Sequence, residues 1–541
     1  MWFYPFFAHY ADRAASMADR QIYHNRALMK KGRGKVPIKL IDEDEKKIVT
    51  TAFIAVFVWG LTAHAYGFLN LTISHDSIGE FFASDGVMRW KVALGRFAEP
   101  IYLKVFHGGL ALPWLNGVLA LIWLSVSVWL TAHIFSIKDK GRIVLIAGIF
   151  TVNITVTALA ATYITDLDAD IFAAMLNVYA VFLWERGGKT SWLGILPLVL
   201  AMGLYQSMVS VAITLVIIVS ILKLIQGEQA LKVIQNGFQA IAMFLAAGVL
   251  YLLVTKLVCA LVQVELASGY NGLTTLLETD GGILHFVKAI PFAYSSLFAV
   301  FSKSLRSPTE MLVLHILLTI PTVVVLFRLI YTKTLPVLNK VLVLALGGLL
   351  PLGMNASCVL DGGMVHDLML YAAWLVYLLV LLLVSAYTDF ALCSGSLTRA
   401  CRGVAVFALI LILLADVQTA NSAYVKKDLE RQATLSIMTN VNAQMNGTEG
   451  YIPGESKVVF VGVPKTGSNG LFPYLSQITG LGCEAAITYE GVYSAYYKYV
   501  LQTALWQVSN DIPKEFTDPM PSFPQNGYIQ WYNDVLVVKL S

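Results

Sequence analysis

The residues best suited to chemistry lie between two apolar runs near the start of the chain. Ser74-His75-Asp76-Ser77-Ile78-Gly79-Glu80 is followed by Asp85-Gly86-Val87-Met88-Arg89-Trp90-Lys91 and then by Gly95-Arg96-Phe97. Arg89, Lys91, Arg96 and Lys104 are cations that can hold a phosphate, and a guanidinium can engage two of its oxygens at once. Asp76 offers a carboxylate for proton abstraction. A second acidic group, Asp166, Asp168 and Asp170, stands at the junction of two later apolar runs. Tyr205-Gln206-Ser207 interrupts another, and His366-Asp367 precedes one more. A carboxylate that deprotonates an acceptor hydroxyl, beside cations that hold a phosphate leaving group, is the chemistry these types and positions allow.

Other roles compete, residue by residue. Asp85 and Arg89 stand at i,i+4 and could form a surface ion pair while the remaining cations snorkel. If 85–109 is a helix, Arg89 and Arg96, seven apart, share a face that could lie in the membrane interface. Asp170 could cap a helix, and Asp168 could be a solvated loop acid. His366 and Asp367 could coordinate a sugar or a metal, or simply form a helix cap. His75, His107 and His366 lack zinc-like spacing, so no metal site is expected. No cofactor is called for, and a divalent metal is left open. No Walker loop, nucleophile elbow or dinucleotide fingerprint occurs in a supporting context.

Composition defines what must position these groups. Of 541 residues, 57% are hydrophobic and 13% charged, with a net charge of +4 and five cysteines. Soluble domains carry about 25% charged residues. An ordinary soluble enzyme, a nucleic-acid binder, a disordered scaffold and a disulfide scaffold are thereby excluded. Apolar runs of about 15–25 residues without alternation indicate a helical membrane protein rather than a β-barrel. The expected spans number eleven: 49–70, 111–135, 143–163, 171–184, two short helices in 191–225 split at Tyr205, 238–262, 310–328, 341–356, 368–387 and 403–418. Lys and Arg in alternate loops place 71–110 and 263–309 outside and the N-terminus in the cytosol. A single tilted span over 191–225 would instead leave the C-terminal segment in the cytosol. Residues 1–48, aromatic and then basic, read as an amphipathic stretch on the inner membrane face or as a solvated tail. Residues 419–541 read as an external α/β domain, with a strand at 457–463, an aromatic-rich helix at 484–508, and a hairpin of 527–532 and 535–540 about Asn533-Asp534.

Four short elements, in order, resemble the type II glucosyltransferase family of bacterial membrane proteins. They are His75-Asp76 with Gly95-Arg96-Phe97; Ala169-Asp170-Ile171-Phe172; Gly203-Leu204-Tyr205-Gln206-Ser207; and the end segment Met520–Gly527 with Val535–Ser541. The resemblance covers most of 50–541. It implies the multi-span GT-C architecture and an inverting transfer of a hexose. The implied donor is a polyprenyl-phosphate glucose and the acceptor an O-antigen or related surface polysaccharide, on the outer side of the cytoplasmic membrane. It also implies an Asp of the first outer loop as base, here Asp76, with Asp168 and Asp170 as the other catalytic candidates. His75, Arg89, Lys91, Arg96, Asp166, Tyr205, Gln206, His366 and Asp367 are then the expected substrate-binding residues. A donor synthase and a flippase would be functional partners, with no nucleic acid involved. Where the family has paired acids in the first loop, this chain has His75-Asp76.

Two other classes share parts of this pattern. A transporter or flippase of lipid-linked saccharide should bury charge near the bilayer midplane and show repeats, whereas the charges singled out here gather at span ends. A polymerase or ligase of surface polysaccharide would share the external acids and cations.

Overall fold

The computed structural model describes residues 43–71, 73–80, 85–108, 110, 112–267, 283–332, 335–360, 365–389, 396–464, 486–509 and 511–541. The expected basic stretch within 1–48 lies outside these up to residue 42, as does the middle of the 263–309 segment.

Long apolar runs give long helices, because a backbone surrounded by apolar matter must satisfy its own hydrogen bonds. In chain order these are α1 (Glu43–Leu69), α2 (Asp85–Ala93), α3 (Glu99–His107), α4 (Pro113–Ile134), α5 (Lys140–Thr151), α6 (Ile154–Thr162), α7 (Leu167–Glu185) and α8 (Ile195–Leu204). There follow α9 (Val209–Gln226), α10 (Ala230–Val262), α11 (Ile283–Val300), α12 (Pro308–Thr332), α13 (Val337–Met354), α14 (Ala356–Leu360), α15 (Leu375–Asp389) and α16 (Ser396–Asn446). Among the described residues, eight helices are long and apolar enough to cross a membrane, or nine if the bent pair α5–α6 is one span. Three further apolar helices, over 188–204, 287–300 and 371–385, are shorter. The expected count of eleven therefore becomes eight or nine full-length candidates plus short ones. The short helices include both the segment before Tyr205 and the last expected span but one.

Helix α4 packs between α1 and α7, α8 lies against α7 and α10, and α9 packs on α13. One apolar core runs through this bundle. Outward faces of α10, α12 and α13 carry Leu245, Phe327 and Leu344, each about two-thirds exposed, as lipid-facing residues would be. The sequence-derived domain boundary at 418/419 falls inside α16, which continues unbroken for 51 residues. Within its apolar part, Asp416 is buried and its Oδ2 has no hydrogen-bond partner among the described residues.

Beyond α16 the chain forms a four-stranded sheet of β1 (Lys457–Val461), β2 (Trp506–Gln507), β3 (Ile529–Tyr532) and β4 (Val535–Lys539), in the order β2-β1-β4-β3. β1 pairs in parallel with β2 and β4, while β3 and β4 form the expected antiparallel hairpin, with Tyr532 opposite Val535 and Asn533 at φ 52°. The expected helix at 484–508 is shortened, over its described part, to consecutive 3-10, α and π turns over 490–501, followed by β2. The module has its own core. Phe460, Tyr493, Tyr497, Leu536 and Val538 join Met438, Val441 and Met445 of α16, and Ile73 and Ile78 of the α1–α2 loop join them too.

Candidate functional site

The site is assembled around the α6–α7 corner. Asn116 of α4 donates from Nδ2 to the carbonyls of Ile164 and Thr165 at 2.9 and 3.1 Å, fixing the turn. Asp166 occupies the position before α7, and Asp168 and Asp170 fall in its first turn, where the helix dipole favours anions. Asp166 and Asp170, four apart, share one side, and Asp168 points to the other.

Helix α2 ends in a left-handed turn at Gly95 (φ 80°). The Gly95 N–H donates to the Val92 carbonyl and the Arg96 N–H to that of Lys91, a paired helix stop that glycine favours. The single helix expected over 85–109 is thus two, broken at Gly95. Arg96 follows the break and so does not share a helix face with Arg89. Next, Ala98 N–H donates to the Gly203 carbonyl at 2.8 Å, and Phe97 lies so close to Gly203 that a Cβ there would come within 2.6 Å of its ring. Gln206 Nε2 donates to the Leu94 carbonyl at 2.7 Å and to Tyr251 Oη at 3.0 Å; Tyr251 O–H in turn reaches the Gly95 carbonyl. Two of the four sequence elements, Gly95-Arg96-Phe97 and Gly203–Ser207, therefore clasp each other. The guanidinium of Arg96 lies 4.6 Å from the centre of the Tyr205 ring.

This clasp brings together a buried charge cluster. Lys91 Nζ donates to Glu99 Oε1 and Asp166 Oδ1, both at 2.7 Å, and Glu80 Oε1 lies 3.4 Å away. Glu80 also accepts from Thr165 Oγ1. Arg96 Nη1 is 3.6 Å from Glu99 Oε2 and 3.8 Å from Asp166 Oδ2. Burial opposes the Lys91 charge, but Asp166, Glu99 and Glu80 outweigh it and hold the ammonium well above its ordinary range. Burial likewise opposes the charge on Arg96, and Glu99, Asp170 and Asp166 more than compensate. Burial and the neighbouring Asp166 carboxylate push Glu99 up to about 7 against the pull of Lys91 and Arg96. Burial alone would raise Asp166, yet Lys91 and Arg96 keep it below the usual carboxylate range. Asp170 is buried beside them, and its Oδ1 accepts no hydrogen bond among the described residues.

On the other side of α7, Asp168 Oδ2 accepts from Tyr102 O–H at 2.6 Å and His107 Nε2 at 2.8 Å, and Trp123 Nε1 donates to Tyr102 Oη at 2.9 Å. Asp168 is fully buried, so the reading of it as a solvated loop acid is corrected. Likewise Asp170 lies within the first turn and is not the cap.

Other expected residues lie apart from this cluster. Asp76 is half-exposed on a single turn of 3-10 helix, paired with His75 at 3.2 Å; the same turn ends at Glu80, which reaches Lys91. Arg89 donates to the Gln263 carbonyl at the end of α10. Asp367 is ion-paired with Lys303, and its carbonyl accepts from Thr155 Oγ1; His366 is exposed beside it. The sequence reading missed Glu80, Glu99, Tyr102, His107 and Trp123 as site residues. For three of the missed residues a signal existed: 99, 102, 103, 106 and 107 follow helical spacing, which sets an acid, a tyrosine and a histidine on the face that buries Leu103.

The fold and site together define a multi-span membrane protein whose polar machinery is gathered at one end of its helix bundle. The family model for glucosyl transferase GtrII matches residues 65–416, more than half of the chain, and the chain belongs to that family. No curated protein and no solved structure matches it. Family membership supports a glucosyltransferase role, and the matched region contains every residue of the charge cluster.

Proposed function

We propose that this protein transfers a glucosyl unit from a polyprenyl-phosphate sugar to a cell-surface polysaccharide, on a GT-C-type scaffold at the outer side of the bacterial cytoplasmic membrane, with inversion at the anomeric carbon. An acceptor hydroxyl oxygen attacks that carbon. The bond to the phosphate oxygen breaks with its electron pair, and a carboxylate takes the hydroxyl proton. A donor synthase and a flippase would supply the donor.

The observation that carries the reading is the difference between the two buried cations. Lys91 has close carboxylate partners and is 3% exposed in its side chain. Arg96 is 20% exposed, its carboxylate neighbours stand beyond hydrogen-bond distance, and Tyr205 supports its flat face. Arg96 is therefore the cation free to bind a phosphate whose charge grows in the transition state. Lys91, expected from sequence as a further substrate-binding cation, is instead occupied by Glu99 and Asp166. Asp76, exposed and one turn from Glu80, is the base this reading assigns, and Asp170 is the alternative.

The test is initial rate against donor concentration, using purified polyprenyl-phosphate glucose and the cells' own surface polysaccharide. Arg96→Ala should lose about 10²–10³ in rate, and Arg96→Lys should recover part of it. Asp76→Asn should insert normally yet fail to transfer. Near-normal turnover by Asp76→Asn would move the base to Asp170. Small, equal losses for both Arg96 variants would remove the phosphate role.

A further inference from the structure

The turn that carries Asp76 is held from two sides. Ser74 Oγ donates to the Thr162 carbonyl at the end of α6, tying it to the membrane helices. Ile73 and Ile78, which flank it, are buried in the core of the C-terminal module with Phe460 and Tyr493. The module therefore sits on the loop that bears the proposed base, and Tyr489 of the module reaches His75 there. That ring meets His75 edge-on, with centroids 6.2 Å apart and planes at 80°. His75 in turn pairs with Asp76 at 3.2 Å.

Tyr489 is 57% exposed, unusual for an aromatic within a folded module whose other tyrosines at 493, 496 and 497 are buried. Its orientation is nevertheless set. The residue is extended (φ −149°, ψ 162°), and its ring rests so close to Gly491 that a Cβ there would come within 2.7 Å of it. Glu490, between them, is tied to the sheet: its Oε1 accepts from the Gly462 N–H and its carbonyl from Gln507 Nε2. A fixed, solvent-facing aromatic beside an exposed carboxylate suits a sugar ring. The apolar C–H face stacks on the tyrosine while a hydroxyl meets the acid.

We propose that Tyr489 of the C-terminal module, seated against Gly491 and beside His75-Asp76, is the platform on which a hexose ring of the acceptor polysaccharide stacks. This rests on the transferase reading above and assigns the acceptor side of the same site. The module would then select the acceptor, while the Arg96 cluster binds the donor.

The experiment uses the full-length protein in nanodiscs, with labelled polyprenyl-phosphate glucose as donor and oligosaccharides cut from the cells' surface polysaccharide as acceptor. Tyr489→Ala should raise the acceptor KM by up to about tenfold, as expected for loss of one aromatic contact, and leave the donor KM unchanged. Tyr489→Phe and Tyr489→Trp should stay near wild type, because they keep the ring. Gly491→Ala, which displaces the ring, should shift the acceptor KM in the same direction by less. An acceptor KM within twofold of wild type for Tyr489→Ala overturns the proposal, as does an equal rise in both KM values. Saturation-transfer NMR with the same oligosaccharides and no donor separates the two readings. Tyr489-dependent binding by a wild-type protein that transfers nothing would uphold the platform and sink the donor assignment. No oligosaccharide signal from the wild type would sink the platform.

Discussion

Two carboxylate environments lie within one turn of α7. On one side Asp166 and Asp170 face Lys91, Arg96, Glu80 and Glu99, a crowd of formal charges removed from bulk water. On the other, Asp168 faces Tyr102, His107 and Trp123, a hydrogen-bonded network with no lysine or arginine in it. Both are buried, and both would be costly unpaired. The difference lies in what satisfies them. The first depends on two cations shared among four acids, so each member's energy depends on the charge of all the others. The second depends on hydrogen-bond donors placed by α3 and α4, Tyr102 and His107 on the carboxylate and Trp123 behind Tyr102, so its geometry decides how well it is satisfied. The first can respond to an arriving phosphate anion by reassigning its cations, whereas the second can only hold α3 against the bundle.

The largest effect should come from removing the shared cation. Lys91→Met keeps the length and apolar stem but strands Glu80, Glu99 and Asp166 in a buried site. Breaking a buried pair in this way costs about 3–5 kcal/mol. We expect a sharply lower yield and a lower unfolding temperature in detergent. Adding Glu80→Gln and Glu99→Gln should restore much of that loss, because the stranded charges are then removed. If Lys91→Met were as stable as the parent, the cluster would be far wetter than its burial shows, and the contrast with Asp168 would collapse.

Asp168→Asn probes the opposite side and should be milder. The amide oxygen can still accept from Tyr102, and His107 loses only its charged partner. A loss of about 1–2 kcal/mol in stability is expected, typical of one weakened buried hydrogen bond. The donor KM should not move. Transfer abolished in a fully stable Asp168→Asn protein would make the residue catalytic and erase the division of labour across α7.

Much of the scaffold was legible because its signals are local. Apolar length marked the helices, the polar break at Tyr205 marked a real interruption, and alternation about Asn533-Asp534 marked the hairpin. Span length was harder to read: α16 continues past residue 418 because its later turns bury one face on the C-terminal module, which hydropathy does not record. The charge cluster was half legible. Arg96, Asp166, Asp170 and Tyr205 were singled out and do meet. Lys91 was misjudged, because a lysine in a polar loop reads as solvated until its partners are known. Those partners come from before it, after it and a distant helix, at Glu80, Glu99 and Asp166. Asp76 and Arg89 carry the same residue types as cluster members yet lie outside it, since type and order do not encode which way a loop folds back.

The smallest expected effect, and the most specific to shared charge, is in the pH dependence of stability. Glu99 is raised from 4.5 to about 7 by burial and by Asp166. Below about pH 4.5 it is protonated whether the chain is folded or not. Between there and about 7 the folded chain keeps a proton that the unfolded chain has released, so Glu99 lowers stability progressively as pH rises through that window. Above it the contribution is flat. Asp166, held low by the same cations, acts in the opposite sense and only at more acidic pH. Glu99→Gln carries a permanent neutral group in place of that proton. Its unfolding temperature, measured in detergent from pH 5 to 8, should therefore fall less across the range than that of the parent, with the two curves converging at the acid end. If Glu99→Gln follows the parent slope throughout, the proton is not held at Glu99, and that carboxylate shares the two cations in its ionised form. The cost of losing Lys91 would then be larger still, which makes the Lys91→Met measurement an independent check on this one.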